Sequence, residues 1–164
     1  MSGSILQVNI SPGGLPKRPV PEAFIHTLGL EGDSFAHPEF HGGPRKAVLI
    51  IASEIVEELK VRGFPVFYGA LGENLTTQGL NFRELRIGDR LRAGGAVIEI
   101  TQTRVPCSQL DVYGPSLKTE IWDRQVKTGD FTSPRWGMSG FKCSVIKPGA
   151  VRPGDIISIE ARFA

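Results

Sequence analysis

Twenty glycines and twelve prolines, scattered evenly through 164 residues, cut this chain into stretches of strand length and leave little room for long helices. Glycine and proline are the strongest local punctuators of regular structure. Their even spread predicts many turns between short strands rather than a flexible linker. Ile5–Ile10 alternates apolar and polar residues and reads as a first strand. Pro12, Pro16 and Pro19 exclude helix from the extended loop that follows. Ala23–Leu28 reads as a second strand, and residues 32–43 as loop. Ala47–Ala52 is a continuous apolar run of strand length, which predicts a strand buried on both faces. Gly94-Gly95 between Arg90–Ala93 and Ala96–Thr103 is a two-residue hairpin signal. Ser144–Lys147 and Asp155–Glu160 complete the sheet. Gly88-Asp89 and Gly154-Asp155 each open a strand with a tight corner, as happens where short strands curl into a barrel. The expected fold is mainly β (α+β): a small closed or partly open barrel of mixed short strands with two or three peripheral helices, in a single domain over residues 1–164.

The clearest helix begins at Ser53, read as its N-cap. Glu54, Glu57 and Glu58 sit toward the positive end of its dipole, and Lys60 and Arg62 toward the negative end, with Gly63 closing it. Ile55, Val56 and Leu59 share a face for packing. Ser116–Lys127 reads as a second helix with Pro115 in its first turn.

The chain is long enough to bury its own core without disulfides or structural metal. A formal net charge of +2 gives no argument for nucleic acid, whereas the local pairs Lys17-Arg18 and Arg45-Lys46 suit a small anionic ligand. No apolar run approaches a membrane span, and Met1–Ile5 lacks the pattern of an export signal, so a cytoplasmic location is expected. In that reducing compartment Cys107 and Cys143 are expected to be free thiols rather than a bridge.

Cys107 ends the strand Ala96–Thr103 just past Pro106 and Arg104, where a thiol can react or bind a soft metal. Strict alternation puts Ile98, Ile100, Gln102 and Arg104 on one side, so Gln102 and Arg104 are expected to continue an inward row to the mouth of a cavity. Arg104 would then favour the thiolate of Cys107. The opposing reading of Cys107 is inert packing. In His41-Gly42-Gly43-Pro44-Arg45-Lys46, the glycines permit close backbone approach, Arg45 can grip a phosphate and Lys46 adds charge. The opposing reading is an ordinary turn before a buried strand. His37, His41, Cys107 and Cys143 are a rival zinc set, although neither cysteine belongs to a Cys-x-x-Cys pair. No dinucleotide, Walker, serine-hydrolase or haem c motif is present.

Six stretches, taken in order, resemble the MOSC domain family, named for the C-terminal domain of molybdenum-cofactor sulfurases. They are Gly29–Asp33, His41–Val48, Gly72–Thr77, Ile87–Asp89, Thr101–Cys107 and Val151–Asp155. The likeness is to its small stand-alone bacterial members. The resemblance implies a β-rich barrel and handling of the molybdenum cofactor (molybdopterin), or reduction of N-hydroxylated small molecules with it. At family level it also carries an association with pyridoxal phosphate. It implies that Cys107 binds molybdenum. Candidates for cofactor contacts are Lys17, His41, Gly42, Gly43, Arg45, Lys46, Asn74 and Gln102, with Cys107 and Arg104 as the catalytic pair. An enzyme of this kind would need a small-molecule substrate and an electron-donor protein. The alternatives are a sulfur-delivery module carrying a persulfide on Cys107 and a binding domain without chemistry. Arg135–Phe141 departs from the Gly-Trp-Tyr-type segment of many relatives.

Overall fold

A seven-stranded barrel, closed on itself, organises the molecule. The computed structural model describes residues 1–34 and 42–162. The strands are β1 (Ser2–Ile10), β2 (Arg18–Val20), β3 (Ala23–His26), β4 (Gly29–Leu30), β5 (Val48–Ala52), β6 (Leu75–Gln78), β7 (Arg90–Ala93), β8 (Ala96–Thr103), β9 (Phe141–Lys147), β10 (Gly149–Val151) and β11 (Ile156–Ala161). Around the barrel the order is β11-β7-β8-β9-β5-β6-β1, and the pairing of β1 with β11 closes the ring. Among the described residues only β5 and β6 pair in parallel, which makes the barrel mixed. β2 adds to the edge of β1, and β10-β3-β4 form a separate small sheet.

The sequence dictates much of this locally. The hairpin forms at Gly94-Gly95, with Ala93 opposite Ala96. Both Gly-Asp corners use one device: the Asp carboxylate accepts from the backbone N–H three residues back, Asp89 from Arg86 at 2.9 Å and Asp155 from Arg152 at 2.9 Å. β5 is buried throughout, as its apolar run predicts. Val48, Ile50 and Ala52 join the barrel-side core with Ile5, Ile98, Phe141 and Trp136. Leu49 and Ile51 face a second cluster beneath the helices, with Val56, Leu59 and Leu71. Trp136 is 2% exposed, donates from its indole N–H to the Leu85 carbonyl at 2.9 Å, and meets Phe141 edge-on.

Helix α1 spans Ser53–Val61, and the N-cap is Ala52 rather than Ser53. Strand β5 runs directly into the helix, so Ser53 takes the first helical position and its hydroxyl bonds Glu54 instead of capping. Gly63 ends α1 in the left-handed region, at φ 97. There the N–H groups of Gly63 and Phe64 bond the carbonyls of Lys60 and Leu59, the paired closure that such a residue permits. The helix expected over 116–127 is two short ones, α2 (Leu117–Ile121) and α3 (Arg124–Lys127). Asp123 breaks the run because its carboxylate accepts from Val126 N–H at 2.8 Å and restarts the helix as a new N-cap. Among the described residues no helix is long and apolar enough to cross a membrane.

Candidate functional site

A bulge in β8 decides which way the site faces. Ile100 stands opposite Cys143, but the next pair is Gln102 with Lys142, so Thr101 is the extra residue. Directly opposed residues share a face of a sheet. Ile100 and Cys143 point into the barrel core, whereas Gln102 lies on the outer face with Lys142. One inserted residue moves everything after it to the opposite face. The inward row expected through Gln102 and Arg104 therefore stops at Ile100, and the cavity opens on the outer wall of the barrel. Thr101 secures the bulge by bonding the carbonyls of Arg45 and Lys142.

The cleft there contains about 430 Å³ of empty space, part of it open to solvent, and includes Lys17, Arg104, Cys107 and Lys142 in its lining. Leu15, Leu49 and Leu71 supply apolar walls. Pro106 ends the strand run, and Cys107 is the half-buried residue that opens a 3-10 turn over Ser108–Tyr113. Arg104 is 6% exposed. Its Nη2 donates to the Leu71 carbonyl at 2.7 Å, while its buried Nη1 meets no acceptor among the described residues. Burial pushes the Arg104 guanidinium down, opposed by nearby Cys107 and Glu73. Lys17 pairs with Asp33 at 2.6 Å, both side chains being almost wholly buried. Lys142 is 9% exposed and falls from 10.5 to about 7. Burial is the main cause, followed by the charges of Arg104, Lys17 and Lys46.

Other expected site residues have other surroundings. Asn74 is buried outside the cleft lining. Its side chain accepts from Leu49 N–H at 3.0 Å and donates to the Asn9 carbonyl and to Asp33 at 2.9 Å, so it braces the carboxylate that holds Lys17. Asn74→Ala is expected to cost roughly 3 kcal/mol, from a buried N–H left unpaired and the lost tie to Asp33. Urea unfolding checks this, and a change below about 0.5 kcal/mol would put the brace elsewhere. Gln102 is half-buried and not among the lining residues. Gly42 and Gly43 precede a 3-10 turn at Pro44–Lys46 on which Arg45 is exposed. Lys46 is close enough to act on Lys142. His37 and His41 lie outside the described residues, and among the described residues no His, Cys, Asp and Glu cluster of metal-site size exists.

Both cysteines are free. Cys143 is fully buried, and burial pushes its thiol far up. Iodoacetamide on folded protein is expected to add one group per chain, on Cys107, as peptide mapping would show. Labelling at Cys143 would contradict its burial. The sequence reading missed Lys142, because a lone lysine between Phe141 and Cys143 looks like the solvent side of an edge strand. It also passed over Glu73, fully buried, whose Oε2 accepts from Gly69 N–H and the Thr76 hydroxyl. Burial raises the Glu73 carboxyl, and the hydrogen bonds from backbone N–H groups and Thr76, with the charge of Arg104, pull it back.

The described residues form a closed mixed barrel with a thiol and three cationic side chains lining one outer cleft. The chain belongs to the MOSC domain family, whose model matches residues 37–158. That family is associated with binding of the molybdenum cofactor. The chain is 33% identical to the uncharacterized protein YflK of Bacillus subtilis over 153 residues, covering 91% of this chain and 64% of that one. It is 34% identical to protein YiiM of Escherichia coli over 151 residues, covering 87% of this chain and 61% of that one. It thus spans a little under two thirds of the length of these curated relatives. The crystal structure of YiiM from Geobacillus stearothermophilus superposes with a TM-score of 0.73 at 27% identity, covering 98% of this chain and 76% of that one.

Proposed function

We propose that the outer cleft holds the molybdenum cofactor with Cys107 as its protein ligand, and that the protein reduces N-hydroxylated or related small substrates. The observation that carries this reading is the meeting of Cys107 with Lys17, Arg104 and Lys142 around one solvent-open cleft. The residues fit the group. A thiolate is a soft donor suited to a metal already held by sulfur. Leucine walls suit a flat ring system, and cations suit a phosphate. The unpaired Nη1 of Arg104 asks for an acceptor that the described residues do not supply.

When bound, the cofactor supplies a metal able to exchange an oxygen atom with a substrate. The chain's own residues do the rest. Cys107 must lose its proton to ligate, so metal uptake releases one. Arg104 places positive charge in the cleft that the sulfur lines. Asp33, braced by Asn74, fixes the Lys17 ammonium at the cleft wall. Lys46 and the Gly42-Gly43 turn adjoin the Lys142 side and suit the cofactor's phosphate. Electrons come from a donor protein.

The test is protein isolated from cells that make the cofactor. Close to one molybdenum per chain, with turnover of an N-hydroxylamine by a reduced dye, supports the reading. Absence of both metal and turnover ends it.

A further inference from the structure

We propose that Glu73 is a positioning residue for Arg104: an ionised carboxylate set behind the cleft wall that holds the guanidinium in place by its charge. Arg104 is 6% exposed, and a cation buried that deeply is costly unless an anion lies near it. Asp33 is engaged with Lys17, and the carboxylate that acts on Arg104 is Glu73. Glutamate is almost never fully buried unless paired, yet Glu73 is 0% exposed. Each of the two side chains has one end anchored and one end unanswered. Oε2 of Glu73 accepts from Gly69 N–H at 3.0 Å and from the Thr76 hydroxyl at 2.9 Å, and Nη2 of Arg104 donates to the Leu71 carbonyl at 2.7 Å. Oε1 and Nη1 are both buried and meet no hydrogen-bond partner among the described residues. One is an acceptor without a donor, the other a donor without an acceptor, and they belong to groups of opposite charge.

The anchors put both groups on one short loop. The carboxylate grips it at Gly69 and the guanidinium grips it at Leu71, two residues before Glu73 itself. The loop has no slack. Gly69 adopts φ 97, its carbonyl accepts from Lys17 N–H at 2.9 Å, and a Cβ added there would lie 2.2 Å from the Lys17 carbonyl oxygen. Leu71 and Gly72 line the cleft together with Arg104, whereas Glu73 is not among the lining residues. The pair therefore acts through the cleft wall, with the cation on the open side and the anion behind it. Burial opposes ionisation of Glu73, while the donors on Oε2 and the charge of Arg104 favour it. An ionised Glu73 balances Arg104, and a neutral one leaves a lone buried cation. Glutamine reproduces the neutral form at the same size, which makes the two states separable by experiment.

A double-mutant cycle on metal-free protein tests the pair. Urea unfolding at neutral pH compares wild type, Glu73→Gln, Arg104→Met and the double variant. Removing one member of a buried charge pair is strongly destabilising, whereas removing both restores the balance. Glu73→Gln is expected to raise the unfolding constant about tenfold or more when Arg104 is present, and less than about threefold in the Arg104→Met background. Additive effects overturn the proposal. A merely structural Glu73 could also lower stability, so the guanidinium is read directly by nuclear magnetic resonance of arginine-labelled protein. The guanidinium N–H signals are assigned to Arg104 by their loss in Arg104→Met. Their exchange with water in Glu73→Gln should accelerate about tenfold more than that of the buried Trp136 indole N–H, which reports opening of the whole fold. Equal acceleration at the two sites overturns the proposal. If Glu73→Gln alone does not fold, wild-type protein decides: the Glu73 carboxyl carbon resonance at neutral pH should be that of a carboxylate, and a neutral carboxyl overturns the proposal. Because every measurement uses metal-free protein, the result is independent of whether Cys107 holds molybdenum.

Discussion

Cys107→Ser, made in cells that supply the molybdenum cofactor, should retain less than about a tenth of the wild-type molybdenum per chain while folding normally. Serine is close to cysteine in size, and Cys107 is only half-buried, so the packing term is small. The backbone around it is held by Leu110 N–H on the Cys107 carbonyl, which a side-chain change leaves intact. Stability should stay within about 0.5 kcal/mol of wild type. The donor, by contrast, changes in kind. A thiolate becomes a hydroxyl that keeps its proton at neutral pH and offers a hard oxygen to a metal that prefers sulfur. Metal analysis on matched preparations, with thermal unfolding as the folding control, reads both effects. Equal molybdenum in the variant would remove Cys107 from the metal. Wild-type protein that carries no metal but gains the mass of one sulfur at Cys107 would point instead to sulfur delivery.

The parts of this molecule legible in its sequence are those fixed by neighbours along the chain. The apolar run ending at Ala52, the Gly94-Gly95 hairpin, both Gly-Asp corners and the closure of α1 at Gly63 each depend on a few consecutive residues. The barrel itself followed from many short strands and from stretches that resemble a family, and the family match covers five of those stretches in full. What the sequence hid depends on partners far away. The bulge at Thr101 exists because β9 offers one residue fewer than β8 in that stretch, and alternation read along β8 alone cannot register it. That single residue turned an expected interior site into an exterior one. Asp123 split a continuous helical pattern because a side-chain cap competed successfully with one more turn. Asn74 has the composition of a ligand contact and the position of a brace, and only the burial of Asp33 beside it tells the two apart.

Lys142→Met should make the protein more stable at neutral pH, by an amount on the order of 5 kcal/mol. The side chain is 9% exposed and its ammonium falls from 10.5 to about 7, chiefly through burial. A base whose folded pKa lies below its unfolded value binds fewer protons when folded between those two limits. Stability therefore rises with pH from about 7 to 10.5, and the full cost is present at and below 7. At about 1.4 kcal/mol per pH unit, that window amounts to the figure above. Methionine keeps an unbranched chain of similar length against Leu49 and Leu71 and removes the charge that has to be desolvated. Paired urea unfolding of wild type and variant at pH 6.5, 8 and 9.5 isolates the residue, because groups common to both cancel in the difference. The gap should be widest at pH 6.5 and narrow steadily toward pH 10. A gap that is constant across pH would mean that Lys142 titrates as an ordinary surface lysine. A narrowing gap would identify a lysine kept in the cleft against its own fold, the pattern expected where function is built at the expense of stability.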